Sequence, residues 1–174
     1  MKEENTITTE APRKLFSNIL LFSLFGIALG FFGMLYEGIV FVPKMLDNSM
    51  QRMLFWRDFY SSINPVGFYI PLLPLASITL IALYFKTSKQ NTEIKKRLAW
   101  ASIFQILSLI ITFYIVTQIN LKLCFSNIEK YAGEIPTKTL LINVLSIFRM
   151  TFSALALAFV FKAFIQLQKD KMKL

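Results

Sequence analysis

Histidine is absent from this chain and cysteine occurs once, as Cys124. A single cysteine excludes an internal disulfide, and the lack of histidine removes the commonest ligand of haem, zinc and non-haem iron. No metal centre and no cofactor are therefore expected. Charge is scarce too, at 17% of the 174 residues, and Gly and Pro number six each. There is no Gly-rich phosphate loop, internal repeat or low-complexity stretch. The opening MKEENTITTEAPRK lacks the short apolar run and small-residue cleavage site of a signal peptide, and is expected to stay on the protein.

What is abundant is apolar. Hydrophobic residues make up 55% of the chain and Phe alone occurs 18 times. Crossing a hydrocarbon core of roughly 30 Å takes about 20 helical residues. Apolar runs of that length recur at about 15–42, 66–85, 98–119 and 139–165, and the segments between them hold nearly every charge. In lipid, an isolated segment satisfies its backbone hydrogen bonds only as a helix. The fold class predicted is all-α: an integral membrane bundle of four transmembrane helices forming one domain over 15–167, with tails at 1–14 and 168–174.

Lys and Arg counts set the orientation. One side holds Lys2, Arg13, Lys14, Lys86, Lys89, Lys95, Lys96, Arg97, Lys162, Lys169, Lys171 and Lys173; the other holds Lys44, Arg52, Arg57, Lys122, Lys130 and Lys138. Cationic loops are retained in the cytoplasm, so both termini are predicted inside, in a multi-pass protein of the cell (inner or plasma) membrane. The net charge of +9 is read as topology and solvation of anionic lipid heads, with no nucleic-acid partner.

The connections differ. KTSKQNTEIKKR is a short polar loop, whereas MLDNSMQRMLFWRDFYSSINP places Leu46, Met50, Met53 and Leu54 at helical spacing. After Pro43, this segment reads as an amphipathic helix at the outer interface with Trp56 and Tyr60 at headgroup depth, ended by Asn64-Pro65. Thr137 or Thr139 is expected to cap the fourth span.

Two ionisable residues stand inside apolar spans, Glu37 and Arg149. A charge at mid-helix costs about 2.5–3.5 kcal/mol on insertion scales, so each needs a partner or water. At 1.5 Å per residue Glu37 lies roughly 8 Å below the outer end of its helix and Arg149 roughly 14 Å below the outer end of the fourth, a gap that a snorkelling Arg side chain closes. Gly26, Gly30, Gly33 and Glu37 share one helical face, a stripe suited to close packing or to a homodimer contact. Thr139, Asn143, Ser146, Arg149 and Ser153 share a second face, and Ser102, Gln105, Ser108 and Thr112 a third. With Gln118, Asn120 and Lys122 where the third span emerges, and Tyr36, Arg52, Arg57 and Asn64 near the same level, an outward-facing polar cavity anchored on Glu37 and Arg149 is expected. The alternative is an interhelical pair that fixes register, with Ser and Thr bonded to their own backbone.

The order of these features resembles a family of small four-helix membrane proteins that includes anthrone oxygenases. The likeness lies in the Gly-rich first span leading to FVPKM, in Phe55 and Phe59, in Arg97 and Ala99, in Thr112 and Ile119-Asn120, and in NVLSIFRM. Arg149 stands in the family's Arg position, while Ser146 occupies its usual Asn position and Asn143 its usual Trp position. The resemblance implies a cofactor-independent oxygenase acting on a lipophilic aromatic or quinone-like molecule. Such a reaction needs a base and a group that steadies the resulting anion, roles for which Glu37 and then Arg149 or Asn120 are the candidates. Tyr36, Arg52, Gln118, Asn143 and Ser146 are the further ligand-binding candidates. A non-catalytic transporter or channel subunit, or an accessory membrane protein, is the competing expectation.

Overall fold

The computed structural model describes residues 4–41, 44, 47, 49–62, 66–87, 91–124 and 126–172, and no strand occurs among them. Helix α1 runs Glu4–Tyr36 and continues as a π-helical segment, Glu37–Phe41. It is followed by α2 (Met50–Ser62) and α3 (Val66–Lys86). Next comes α4 (Thr92–Tyr114), prolonged by a second π segment, Ile115–Asn120, and by the single turn α5 (Leu121–Leu123). A 3-10 stretch, Ile128–Glu134, leads into α6 (Ile135–Met172). Lys14–Val40, Thr92–Leu123 and Ile128–Asp170 are long and apolar enough to cross a membrane, and Pro71–Lys86 is a shorter apolar helix. The protein is thus an all-helical membrane protein.

Helices α1, α3, α4 and α6 alternate in direction. Ser23 Oγ on α1 lies 2.8 Å from Thr79 Oγ1 on α3, and a Cβ at Gly26 would come within 2.8 Å of Ala76 Cβ, so α1 and α3 run antiparallel. Gln168 donates to Ser17 Oγ at 3.3 Å and Arg149 reaches Glu37, two contacts that together set α6 antiparallel to α1. Three hydrogen bonds tie α4 to α6: Arg97 Nη1 to the Lys162 carbonyl (2.8 Å), Ser108 Oγ to the Arg149 carbonyl (3.1 Å) and Lys138 Nζ to the Gln118 carbonyl (3.0 Å). The lower end of the bundle carries the start of α1 and the end of α6; the upper end carries the π segments.

Buried positions recur every three or four residues along the long helices. On α6 they are Ile135, Thr139, Ile142, Ser146, Arg149, Ser153, Ala156, Val160, Ala163 and Leu167; on α3 they include Leu73, Ala76, Leu80 and Leu83, and Thr87 just past its end continues the series. That spacing keeps one seam facing a neighbour, as in left-handed coiled coils and most membrane bundles. Gly26 and Gly30 lie on the α1 seam and serve α3 of the same chain, for a Cβ at Gly30 would run into Leu73. Removing Cβ lets the two backbones close up, which in lipid substitutes for the missing hydrophobic drive.

Two apolar clusters occupy the ends of the bundle. The lower one joins Leu20, Ile27, Leu80, Leu98, Ala101, Ala156 and Val160. The upper one joins Met53 and Trp56 of α2 to Ile115, Ile119, Cys124, Ile128, Ile135 and Ile142. Trp56, expected at headgroup depth, is buried within this cluster with its ring edge-on to Phe55 and Phe59. Met53 is buried with it, whereas Leu54 is partly exposed. Pro43, Leu46, Asn64 and Pro65 lie outside the described residues, as does the side chain of Tyr60.

Two local expectations change. α6 starts at Ile135, so neither Thr137 nor Thr139 caps it; Thr139 sits one turn in and donates to the Ile135 carbonyl (2.8 Å). Pro136 in that first turn needs no backbone N–H partner, which favours the earlier start. The cap belongs instead to the 3-10 stretch, where Asn127 Oδ1 accepts from the Glu129 N–H at 3.1 Å. α3 also carries Pro71 and Pro74 within its length. Each leaves the carbonyl four residues before it, at 67 and 70, without its helical N–H partner. Three residues past Pro74, Ser77 Oγ donates to the Leu73 carbonyl at 2.7 Å.

Candidate functional site

Glu37 is the last polar member of the α1 seam that runs through Leu20, Ser23, Ile27, Gly30 and Met34. It also opens the π segment. A π turn widens the helix and advances the following residues, a distortion frequent at functional sites. Across the seam stands Arg149, at the middle of α6. Arg149 Nη2 donates to Glu37 Oε2 at 2.6 Å, and the two side chains are 6% and 15% exposed respectively. The two ionisable residues singled out in the spans therefore pair with each other. Of the five salt bridges among the described residues, this is the one in which both side chains are largely buried.

Gly38, next to the carboxylate, makes the approach possible. A Cβ there would meet Met150 Sδ at 2.6 Å, so α1 and α6 close over the pair with a thioether as filler. Neither Gly38 nor Met150 stood out in the sequence; the signal was a glycine directly after an intramembrane carboxylate.

Below and beside the pair, α4 and α6 bring polar residues into the seam. Ser102, Gln105, Ser108, Ser146 and Ser153 are all buried, Gln105 and Ser146 to 1% exposure. Thr112 is half-buried and donates to the Ser108 carbonyl at 2.8 Å. The α4 and α6 faces read from the sequence thus meet in one polar layer between the two apolar clusters.

The remaining candidates are dispersed. Asn143 is half-buried and its side-chain amide donates to the Thr139 carbonyl of its own helix at 2.7 Å. Asn120 is half-buried at the end of the second π segment. Tyr36 is exposed, and so is Gln118, whose carbonyl accepts from Lys138. Arg52 bonds Asp47 at 3.1 Å on the surface, where a small polar pocket of about 290 Å³ involves Asp47, Ser49, Gln51 and Phe55 as well. Among the described residues, no group of three or more Cys, Asp or Glu side chains gathers as a metal site.

A second concavity is wholly different in character. A groove of about 480 Å³ runs between α1 and α6, lined by Phe25, Ala28 and Phe31 on one side and by Ala154, Ala158 and Phe161 on the other. Its upper end, at Phe31 and Ala154, lies roughly 8–9 Å along the helix axes from Glu37 and Arg149 at 1.5 Å per residue. Compared with protein-family models, curated proteins and solved structures, the chain finds no match.

Proposed function

We propose that this protein is a four-span membrane protein, with α3 as the additional span and both termini cytoplasmic, that binds a lipophilic aromatic or quinone-like molecule at the Glu37–Arg149 pair. Two observations support this reading: the enclosed Glu37–Arg149 pair, and an apolar groove between the same two helices that begins one to two turns below it. The groove suits a flat hydrophobic body, and the pair offers a carboxylate acceptor and a guanidinium donor to its oxygen-bearing end. Burial strengthens such polar contacts, because neither partner competes with bulk water. Oxidation of the bound molecule, as the resemblance implies, would make Glu37 the group that accepts a substrate proton.

Decyl-ubiquinone and a hydroxyanthrone serve as probes, with binding to protein in nanodiscs followed by calorimetry and oxygen uptake followed electrochemically. Wild type is expected to bind one of them. Ala158→Trp should block the groove with little change in melting temperature, and Glu37→Gln, compared at a temperature where the variant is still folded, should weaken binding at least severalfold. Unaltered binding by Ala158→Trp would sink the groove assignment, and oxygen uptake lost in Glu37→Gln would extend binding to catalysis. Orientation is read from Glu3→Cys and Lys171→Cys in a Cys124→Ala background: labelling by an impermeant maleimide only from outside intact cells would overturn it.

A further inference from the structure

The polar layer between α4 and α6 contains more hydrogen-bonding capacity than its side chains use. Ser102 Oγ, Gln105 Oε1, Ser146 Oγ, Ser153 Oγ and Arg149 Nε are buried with no partner in the protein. The residues that bear them are 9%, 1%, 1%, 0% and 5% exposed. Other hydroxyls of the bundle behave differently. Ser77, Thr87, Thr139 and Thr151 each donate to the carbonyl four residues back at 2.7–2.9 Å. That same bond is open to any serine in a helix, yet Ser102, Ser146 and Ser153 do not make it.

The three α4–α6 hydrogen bonds fix the register of these groups. With 97 level with 162, 108 with 149 and 118 with 138, Gln105 falls level with Ser153 and Thr112 with Ser146. The unpartnered atoms therefore occupy successive rungs of one antiparallel seam, over roughly 15 Å of helix at 1.5 Å per residue. Leu98, Ala101, Ala156 and Val160 close the seam below, and Ile115, Ile119 and Ile142 close it above.

A buried polar atom left without any partner costs about 1–3 kcal/mol. Five of them together would rival the whole stability of an ordinary domain, about 5–15 kcal/mol. The chemistry of the set selects what meets the need. It offers one acceptor-only oxygen, one donor-only nitrogen and three hydroxyls that do either, and its charge is already balanced by the Glu37–Arg149 pair. A cation would be repelled by Arg149 and an anion by Glu37. A neutral molecule that donates and accepts equally fits, and buried water makes about three such bonds.

We propose that the α4–α6 seam is a binding site for a small cluster of water molecules, bridging Gln105 and Ser153 and reaching Ser102, Ser146 and the Arg149 Nε. The cluster hydrates the Glu37–Arg149 pair from within the bundle. It stands whether or not the pair also binds a lipophilic molecule.

Water-edited solid-state NMR on isotopically labelled protein in liposomes tests this. Magnetisation from water should reach the Gln105 side-chain carbonyl carbon and the Cβ atoms of Ser146 and Ser153 several-fold faster than it reaches Ser77 and Thr139, which are as deeply buried but bonded to their own helices. Equal rates in the two groups would overturn the proposal. Gln105→Met and Ser153→Ala supply a second readout. With water bound, each leaves the cluster short of a partner, so melting temperature falls and water transfer to the remaining seam residues slows. In a dry seam each substitution deletes an unpartnered group, and a melting temperature that holds or rises would reject the cluster.

Discussion

Glu37 and Arg149 are 112 positions apart in the chain, yet a guanidinium nitrogen of one stands 2.6 Å from a carboxylate oxygen of the other, with both side chains largely enclosed. The pair joins the first long helix to the last at the level where α1 turns from α to π geometry. Breaking a buried ion pair on one side costs about 3–5 kcal/mol, because the abandoned charge stays buried, whereas removing both charges is close to neutral. Arg149→Met should therefore lower unfolding free energy in detergent by about that amount, and Glu37→Gln combined with Arg149→Met should recover most of it. A double variant no more stable than Arg149→Met alone would show that the two residues do not act as a pair.

The contact of Gly30 with α3 predicts a size limit. Gly30→Val should force α1 away from Leu73 and destabilise the bundle by about 1–3 kcal/mol, the usual penalty of overpacking. Adding Leu73→Ala should return part of the loss. Chemical denaturation of the two variants in mixed micelles measures both effects.

Trp56 anchors α2 to the upper cluster at 2% exposure. Truncating a buried Trp to Ala costs about 3–5 kcal/mol in a well-packed core. Trp56→Ala should lower the melting temperature and expose residues 50–62 to protease. If both are unchanged, α2 contributes nothing to the fold.

Burial pushes the Cys124 thiol up from 9.0 to about 12. An unfolded chain begins to lose this proton near pH 9, the folded one only near pH 12. Between those limits the unfolded state binds fewer protons, so stability falls as pH rises, and below pH 9 the thiol has no effect. Cys124→Ala should flatten the decline in melting temperature above pH 9. At pH 8 the native thiol should resist iodoacetamide until the protein is unfolded in SDS.

Apolar length told the sequence reader where the long helices lie, and scarcity made Glu37 and Arg149 stand out, because in lipid any charge must be answered. The helix faces were legible through small and polar residues: Ser102, Gln105 and Ser108 on α4, and Ser146, Arg149 and Ser153 on α6, all prove to be buried seam positions. Hydropathy could not mark those seams, for the lipid-facing sides are as apolar as the packed ones. Other features left no such signal. Tyr36, Gln118 and Arg52 share a level with the pair by residue count, but level is not direction, and their side chains or bonds lie at the surface. Trp56 and Tyr60 had equal claims to a headgroup position; Trp56 instead joins Ile128, Ile135 and Ile142 in the upper cluster, a contact that residue order does not encode.

The π segments at Glu37–Phe41 and Ile115–Asn120 have one more consequence. Each holds one residue more than an α-helix would place in the same turn. Deleting a single residue from an ordinary stretch of these helices would swing everything after it by about 100° and scramble the seam. Deleted from within a π segment, the same residue would restore regular winding, so these two short stretches are where the chain can change length by one without losing the bundle below.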